Sequence, residues 1–259
     1  MIQIRNIILL NLMFALLISC GKESKDQQTD KVMYEATEMT LFLGTYTRKE
    51  GHVDGKAEGI YVYNFNPESG ALSYQSTSPA VINPSYLTIH PSGNYVYAVQ
   101  EVGGPAEDET GLVTAFAFDQ EAKTLSMINE VSSGGDWPCY ISVDQSGQNV
   151  MVANYGGSTA IFPLFQDGAV GEATTVMQHA GSGPSDRQEG PHAHMIVQSN
   201  GGGPEVYAVD LGADRIFIYD IEDSTQALMD TQESIEVAAG AGPRQMAFHP
   251  QMKTAYVLN

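Results

Sequence analysis

Hydrophobic and polar positions alternate with a period of two along much of the chain. Residues 112–118 and 125–131 are clear cases. That period predicts β-strands with one buried face. Set among them are continuous apolar runs at 95–99, 150–153, 206–209 and 255–258, each read as a strand. Asn66-Pro67-Glu68-Ser69-Gly70 and Asp119-Gln120-Glu121-Ala122-Lys123 have the turn chemistry of hairpin connections. No sustained helical period occurs beyond the first 20 residues, so the predicted class is all-β.

The pattern repeats. Asn83-Pro84-Ser85-Tyr86-Leu87, Trp137-Pro138-Cys139-Tyr140-Ile141, Gly190-Pro191-His192-Ala193-His194 and Gly242-Pro243-Arg244-Gln245-Met246 each open a repeat. Their prolines, at 84, 138, 191 and 243, lie 54, 53 and 52 residues apart. Four short strands in about 50 residues are the signature of a propeller blade. Three strands precede the first anchor, three full repeats follow, and about two strands come last, a little over four blades. An open arc leaves raw sheet edges, which natural proteins avoid. The expectation is therefore a chain that lacks C-terminal blades. The alternative is a four-bladed ring closed by a first strand at 41–46 joining the last repeat.

Composition narrows the function. The 259 residues carry 12 Lys+Arg against 31 Asp+Glu, a net charge of -19. Such a field repels phosphate backbones and excludes nucleic acid as a partner class. An anionic ligand is compatible only where Arg is concentrated in one cleft. Two cysteines, Cys20 and Cys139, exclude a disulfide-stapled fold. Cys20 closes an apolar run, residues 7–18, which is too short to span a bilayer. The run and the sequence Leu17-Ile18-Ser19-Cys20 read as a lipoprotein signal. The predicted organisation is a signal peptide at 1–20, a polar tether at 21–39 and a propeller at 40–259. The expected mature form is a monomer, lipid-anchored on Cys20 at a bacterial cell envelope, on the periplasmic or outer side. Cys139 is expected to be a small buried residue.

A family resemblance emerges at Leu43-Gly44-Thr45-Tyr46-Thr47, Ala153-Asn154-Tyr155-Gly156-Gly157, Arg187-Gln188-Glu189-Gly190-Pro191-His192-Ala193-His194, Asp210-Leu211-Gly212-Ala213-Asp214-Arg215 and Gly240-Ala241-Gly242-Pro243-Arg244. In this order and spacing they resemble the lactonase family of seven-bladed propellers, which includes 6-phosphogluconolactonases. Fungal carboxy-muconate cyclases share its fold. The resemblance implies a seven-bladed ring of which about four blades are present, a sugar lactone as substrate, and a place in carbohydrate metabolism. Gln245 stands where many relatives carry His.

The residues agree with that chemistry. Lactone hydrolysis needs a base to activate water and positive charge near the developing oxyanion. His192 and His194 project to one face of an extended chain. Those two and Glu189 are the candidate catalytic groups. Arg187 and Arg244 are candidate anchors for an anionic substrate. In the repeat alignment Arg244 matches His192, so the two are expected at similar height on neighbouring blades. Asp210, Asn154 and Glu101 are further candidate substrate contacts, although Asp210, Asn154 and Gln100 share a repeat position that suits strand-end caps. No Gly-x-Ser-x-Gly elbow supports a covalent serine route. The expected chemistry needs no cofactor or metal, with a site on His192, His194 and Asp210 as the alternative. His90 and His249 read as turn residues, and His52 and His179 as loop residues. A propeller that binds glycans or proteins without catalysis and a muconate-type lactonising cyclase remain the competing functions.

Overall fold

The structure is a computed structural model that describes residues 38–104 and 110–259. The signal segment, Cys20, most of the tether and the acidic run Glu107-Asp108-Glu109 lie outside the described residues. Among the described residues there are 17 strands and no helix, as the alternation predicts.

The strands form five antiparallel sheets in chain order. β1 (Met39–Leu43), β2 (Tyr61–Phe65) and β3 (Leu72–Thr77) make the first. β4 (Leu87–Ile89), β5 (Tyr95–Gln100), β6 (Leu112–Asp119) and β7 (Thr124–Ser132) make the second. The third is β8 (Pro138–Val143), β9 (Asn149–Asn154), β10 (Ser158–Pro163) and β11 (Thr175–Gln178). The fourth is β12 (Ala193–Gln198), β13 (Glu205–Asp210), β14 (Arg215–Glu222) and β15 (Ala227–Glu236). β16 (Gln245–Phe248) and β17 (Ala255–Leu258) make the fifth. The first strand of one sheet meets the first strand of the next: β4 with β8, β8 with β12, β12 with β16. The sheets are blades stacked side by side around an axis lined by these first strands.

The continuous apolar runs fall on the second strands, one place out from the strands that line the axis. Every residue of β9 is buried, as are five of six in β5. Both faces of these strands pack against a neighbouring blade, so both faces must be apolar. The core therefore lies between blades. Ile60, Val62, Val96 and Phe116 join blades one and two. Tyr97, Val113, Val152 and Phe162 join two and three. Met151, Ile161, Ile196 and Val209 join three and four. Burying Phe116 or Phe162 contributes on the order of 2–3 kcal/mol each. The first strand spans 39–43 instead of 41–46. Past Leu43 the chain runs close against the Pro84 backbone: Thr45 N donates to the Pro84 carbonyl at 2.9 Å, and a Cβ on Gly44 would stand 2.5 Å from that oxygen.

Two innermost strands, β8 and β12, open with a β-bulge. The ladder runs from Pro138↔Asn154 to Tyr140↔Ala153, leaving Cys139 as the extra residue. It runs from Ala193↔Asp210 to Met195↔Val209, leaving His194. A bulge re-aims its side chain without breaking the sheet. The register also corrects the repeat alignment. Glu101, Tyr155 and Leu211 donate backbone N–H bonds to Asn83, Trp137 and His192. His192 thus matches Trp137. The pairs Met195↔Val209 and Gln245↔Leu258 then match Arg244 with His194. Asn83, Trp137 and Gly242 share this step before the bulge, all at positive φ. The dipeptide Gly190-Pro191 imitates the Gly-Pro before Arg244 but lies two residues too early.

Candidate functional site

Four matched positions stand where the innermost strands open, at one end of the blades: Ser85, Cys139, His194 and Arg244, of which Cys139 and His194 are bulged. Beside them stand Glu101 and Tyr155, each just past a second strand, and Tyr46, which follows β1. This end carries the site, with a basic side and an acidic side.

Tyr155 is the centre of the basic side. Its ring stacks on His192 with centroids 4.3 Å apart and meets the edge of His194 at 6.2 Å. Its hydroxyl oxygen accepts a bond from the Arg187 guanidinium at 2.9 Å. Its carbonyl accepts a bond from His192 Nδ1 at 2.8 Å. That bond fixes the His192 tautomer: Nδ1 carries the proton and Nε2 keeps its lone pair. Nε2 lies 3.4 Å from a Glu189 carboxylate oxygen. His194 Nδ1 accepts a bond from Gln245 Nε2 at 3.2 Å, so its proton sits on Nε2. The two histidines therefore have opposite tautomers. His192 can take a proton; His194 can donate a hydrogen bond.

One carboxylate secures both arginine-bearing loops. Asp214 Oδ1 accepts from Gln188 Nε2 at 2.7 Å and from Gly242 N at 2.8 Å, and Oδ2 accepts from Gly240 N at 2.6 Å. Gln188 follows Arg187, and Gly242 lies two residues before Arg244. Burial raises the acid's pKa, but the Gly242 and Gly240 donors outweigh it and hold it below the usual range.

The acidic side is built on Glu101. Its Oε2 accepts from Tyr46 Oη at 2.8 Å and from Ser85 Oγ. His52 reaches over it, with Nε2 3.7 Å from Oε1. Cys139 lies between the two sides. Burial pushes its thiol pKa up, Glu101 adds to the rise, and Arg244 opposes it.

The family described as "Lactonase, 7-bladed beta-propeller" matches residues 40–259. The chain belongs to this lactonase family. It is 35% identical over 221 residues to the 6-phosphogluconolactonase of Bacillus subtilis, covering 84% of this chain and 58% of that one. It is 31% identical over 224 residues to the 6-phosphogluconolactonase of Formosa agariphila, covering 85% and 61%. The structure of the periplasmic gluconolactonase of Pseudomonas aeruginosa superposes with a TM-score of 0.76 at 32% identity, covering 85% of this chain and 61% of that one. The lactonase-family chain thus spans about three fifths of the length of these relatives.

Within this lactonase-family blade set, Arg187, Glu189, His192 and His194 gather around Tyr155, and Arg244 acts on His194. The charge of Arg244 acts on His194, its repeat counterpart by register, where sequence alignment pointed to His192. Asp210 and Asn154 are not in the site. Asp210 is fully buried. Its Oδ1 accepts from the N–H groups of His192, Gly212 and Ala213 at 2.7–3.0 Å, and Oδ2 takes His179 Nδ1 at 2.7 Å. Asn154 is fully buried too, bonded to Ser133 and Ser158. The strand-end cap is their role. His179 lies in the connection just past β11, as read, and its side chain is buried in the core. His90 and His249 do hold their turns, His249 Nδ1 accepting from the N–H of Gln251 and Met252. Sequence reasoning missed Tyr155, Tyr46 and Ser85; for Tyr155 the available signal was its match with Glu101, one position past a second strand. Among the described residues no three His, Cys, Asp or Glu side chains gather in a metal-ligating cluster.

His194 makes the site pH-sensitive on the acid side. Burial lowers its pKa to about 4, and the positive charge of Arg244 reinforces the shift. A histidine with a depressed folded pKa leaves the native state short of protons relative to the unfolded chain. Stability is full above pH 6.5, the ordinary value, and declines as pH falls toward about 4. A shift of this size amounts to roughly 3 kcal/mol. The ring resonances of His194 are expected to stay in the neutral position down to about pH 4; an NMR midpoint near the ordinary histidine value would contradict this.

Proposed function

We propose that the protein hydrolyses a sugar lactone to the free hydroxy acid. The observation that carries this is the pair of opposed histidine tautomers, fixed by the Tyr155 carbonyl and by Gln245, beside two arginines. His192 Nε2 takes a proton from water as the water oxygen attacks the lactone carbonyl carbon. The C=O electron pair moves onto oxygen. Arg244 and Arg187 offset that charge, and His194 Nε2–H and the Tyr155 hydroxyl are further donors on the same side. The intermediate collapses, the ring C–O bond breaks, and the His192 imidazolium returns its proton to the leaving alkoxide. Glu189, 3.4 Å from Nε2, stabilises the imidazolium between the two transfers. A local backbone donor, with the Arg187 guanidinium adding to it, holds Glu189 below its usual pKa.

The relatives named 6-phosphogluconolactonase support a phosphorylated substrate; the periplasmic gluconolactonase of Pseudomonas aeruginosa supports an unphosphorylated one. Initial rates on 6-phosphogluconolactone and on gluconolactone, with and without chelator, test the reading. Hydrolysis of either, undiminished by chelator, supports it. A folded protein that turns over neither leaves the glycan- or protein-binding module in its place.

The same reading places the chain at the cell envelope, lipid-anchored through Cys20. The apolar run ending in Leu17-Ile18-Ser19-Cys20 supports it. Replacing Cys20 with Ala is expected to move the protein from the membrane fraction to the soluble one. Equal membrane association of both forms would count against the anchor.

A further inference from the structure

The Glu101 carboxylate is half engaged. Tyr46 and Ser85 both donate to Oε2. Oε1 accepts no hydrogen bond from a described residue, and His52 Nε2, at 3.7 Å, is too far to donate one. The carboxylate side chain is 12% exposed. Two hydroxyl donors on one oxygen hold the group in a single orientation. The second oxygen keeps its lone pairs for solvent or for a ligand.

The placement of this acceptor is informative. Glu101 and its partners Tyr46 and Ser85 come from blades one and two. Arg187, Tyr155, His194 and Arg244 come from blades three to five. Cys139 lies between and feels both Glu101 and Arg244. A lactone carbonyl, or an anionic substituent, calls for the donors. Glu101 repels an anion and calls for donors on the ligand, which a sugar lactone supplies as ring hydroxyls.

We propose that Glu101 is the specificity-determining residue of the site, with Oε1 accepting hydrogen bonds from the ring hydroxyls of a polyhydroxylated lactone. The bonds turn the ring so that its carbonyl lies toward His194 and Arg244. This rests on the lactonase reading and goes further by assigning the hydroxyl side of the ring. A site built to bond a substrate hydroxyl discriminates strongly against the analogue lacking it, because the buried acceptor is left unpaired.

The test compares gluconolactone with δ-valerolactone, which has the same ring and no hydroxyls. In Glu101→Gln the ratio of their kcat/KM values is expected to fall about tenfold, and in Glu101→Met further, with urea midpoints showing that both variants fold. Binding of the two matching lactams, read by calorimetry, separates the claims. If the Glu101 variants lower lactam selectivity while no lactone is hydrolysed, the lactonase reading fails and the Glu101 assignment stands. If lactones are hydrolysed and neither ratio moves by more than twofold, the assignment is overturned and the lactonase reading stands.

Discussion

Replacing His192 with Ala is expected to lower kcat for sugar-lactone hydrolysis by about 10²–10⁴-fold, the range for loss of a positioned general base. The tautomer is the reason. Nδ1 is committed to the Tyr155 carbonyl at 2.8 Å, so the basic lone pair is held on Nε2. KM should change less than kcat, because Arg187 keeps its bond to Tyr155 and Arg244 is untouched. The substitution also removes a ring stacked on Tyr155, so a His192→Phe variant keeps the stacking and isolates the lost base. Added imidazole should restore part of the rate in His192→Ala. A kcat within threefold of the unmodified protein in both variants would remove His192 from the mechanism and return the base role to His194 or Glu189.

The largest expected effect on stability belongs to Asp210. Its carboxylate is fully buried and accepts four bonds, three from backbone N–H groups of the 192 and 212–213 segments and one from His179. Asp210→Ala strands all four donors in a site that water does not reach. Breaking a buried hydrogen-bonded charge network by removing one partner costs about 3–5 kcal/mol. Asp210→Asn keeps an acceptor for the backbone groups and forfeits the His179 bond, at about 1–2 kcal/mol. Urea unfolding of both variants checks the order. Equal midpoints for Asp210→Ala and the unmodified protein would show that the network is replaceable. The segment it holds is the one carrying His192, and the packing there leaves no slack: a Cβ on Gly212 would stand 2.0 Å from the Gly190 carbonyl oxygen.

The blades were legible in the sequence, because period-two strands and recurring Pro-led anchors are local patterns. The hairpin turns read correctly for the same reason: Gly70 and Lys123 both take positive φ. The site was legible in its residue types, and less so in its geometry. Gly190-Pro191 imitates the Gly-Pro before Arg244, and only the ladder register shows that it lies two residues early, so the alignment placed Arg244 on His192 instead of His194. Asp210 and Glu101 are both acids near the end of a second strand, one position apart in the repeat. One faces inward beneath a loop and the other opens onto the axis. That difference lies in which loop covers each, a long-range property that spacing does not encode. Tyr155 passed unremarked because an aromatic after an apolar strand is ordinary; its importance comes from four contacts made across two blades.

The bulges at Cys139 and His194 separate two jobs that most β-strands combine in each residue. The residues on either side of a bulge keep the ladder, and the bulged residue answers to neither partner strand. Ser, Cys, His and Arg, four side chains of unrelated size and charge, occupy this one position in successive repeats, while the flanking pairs stay in register. Substitutions there alter what the axis presents to a ligand with little penalty to folding. The architecture behaves as a mounting ring whose fittings can be exchanged one at a time, which is where a change of substrate could arise by single steps.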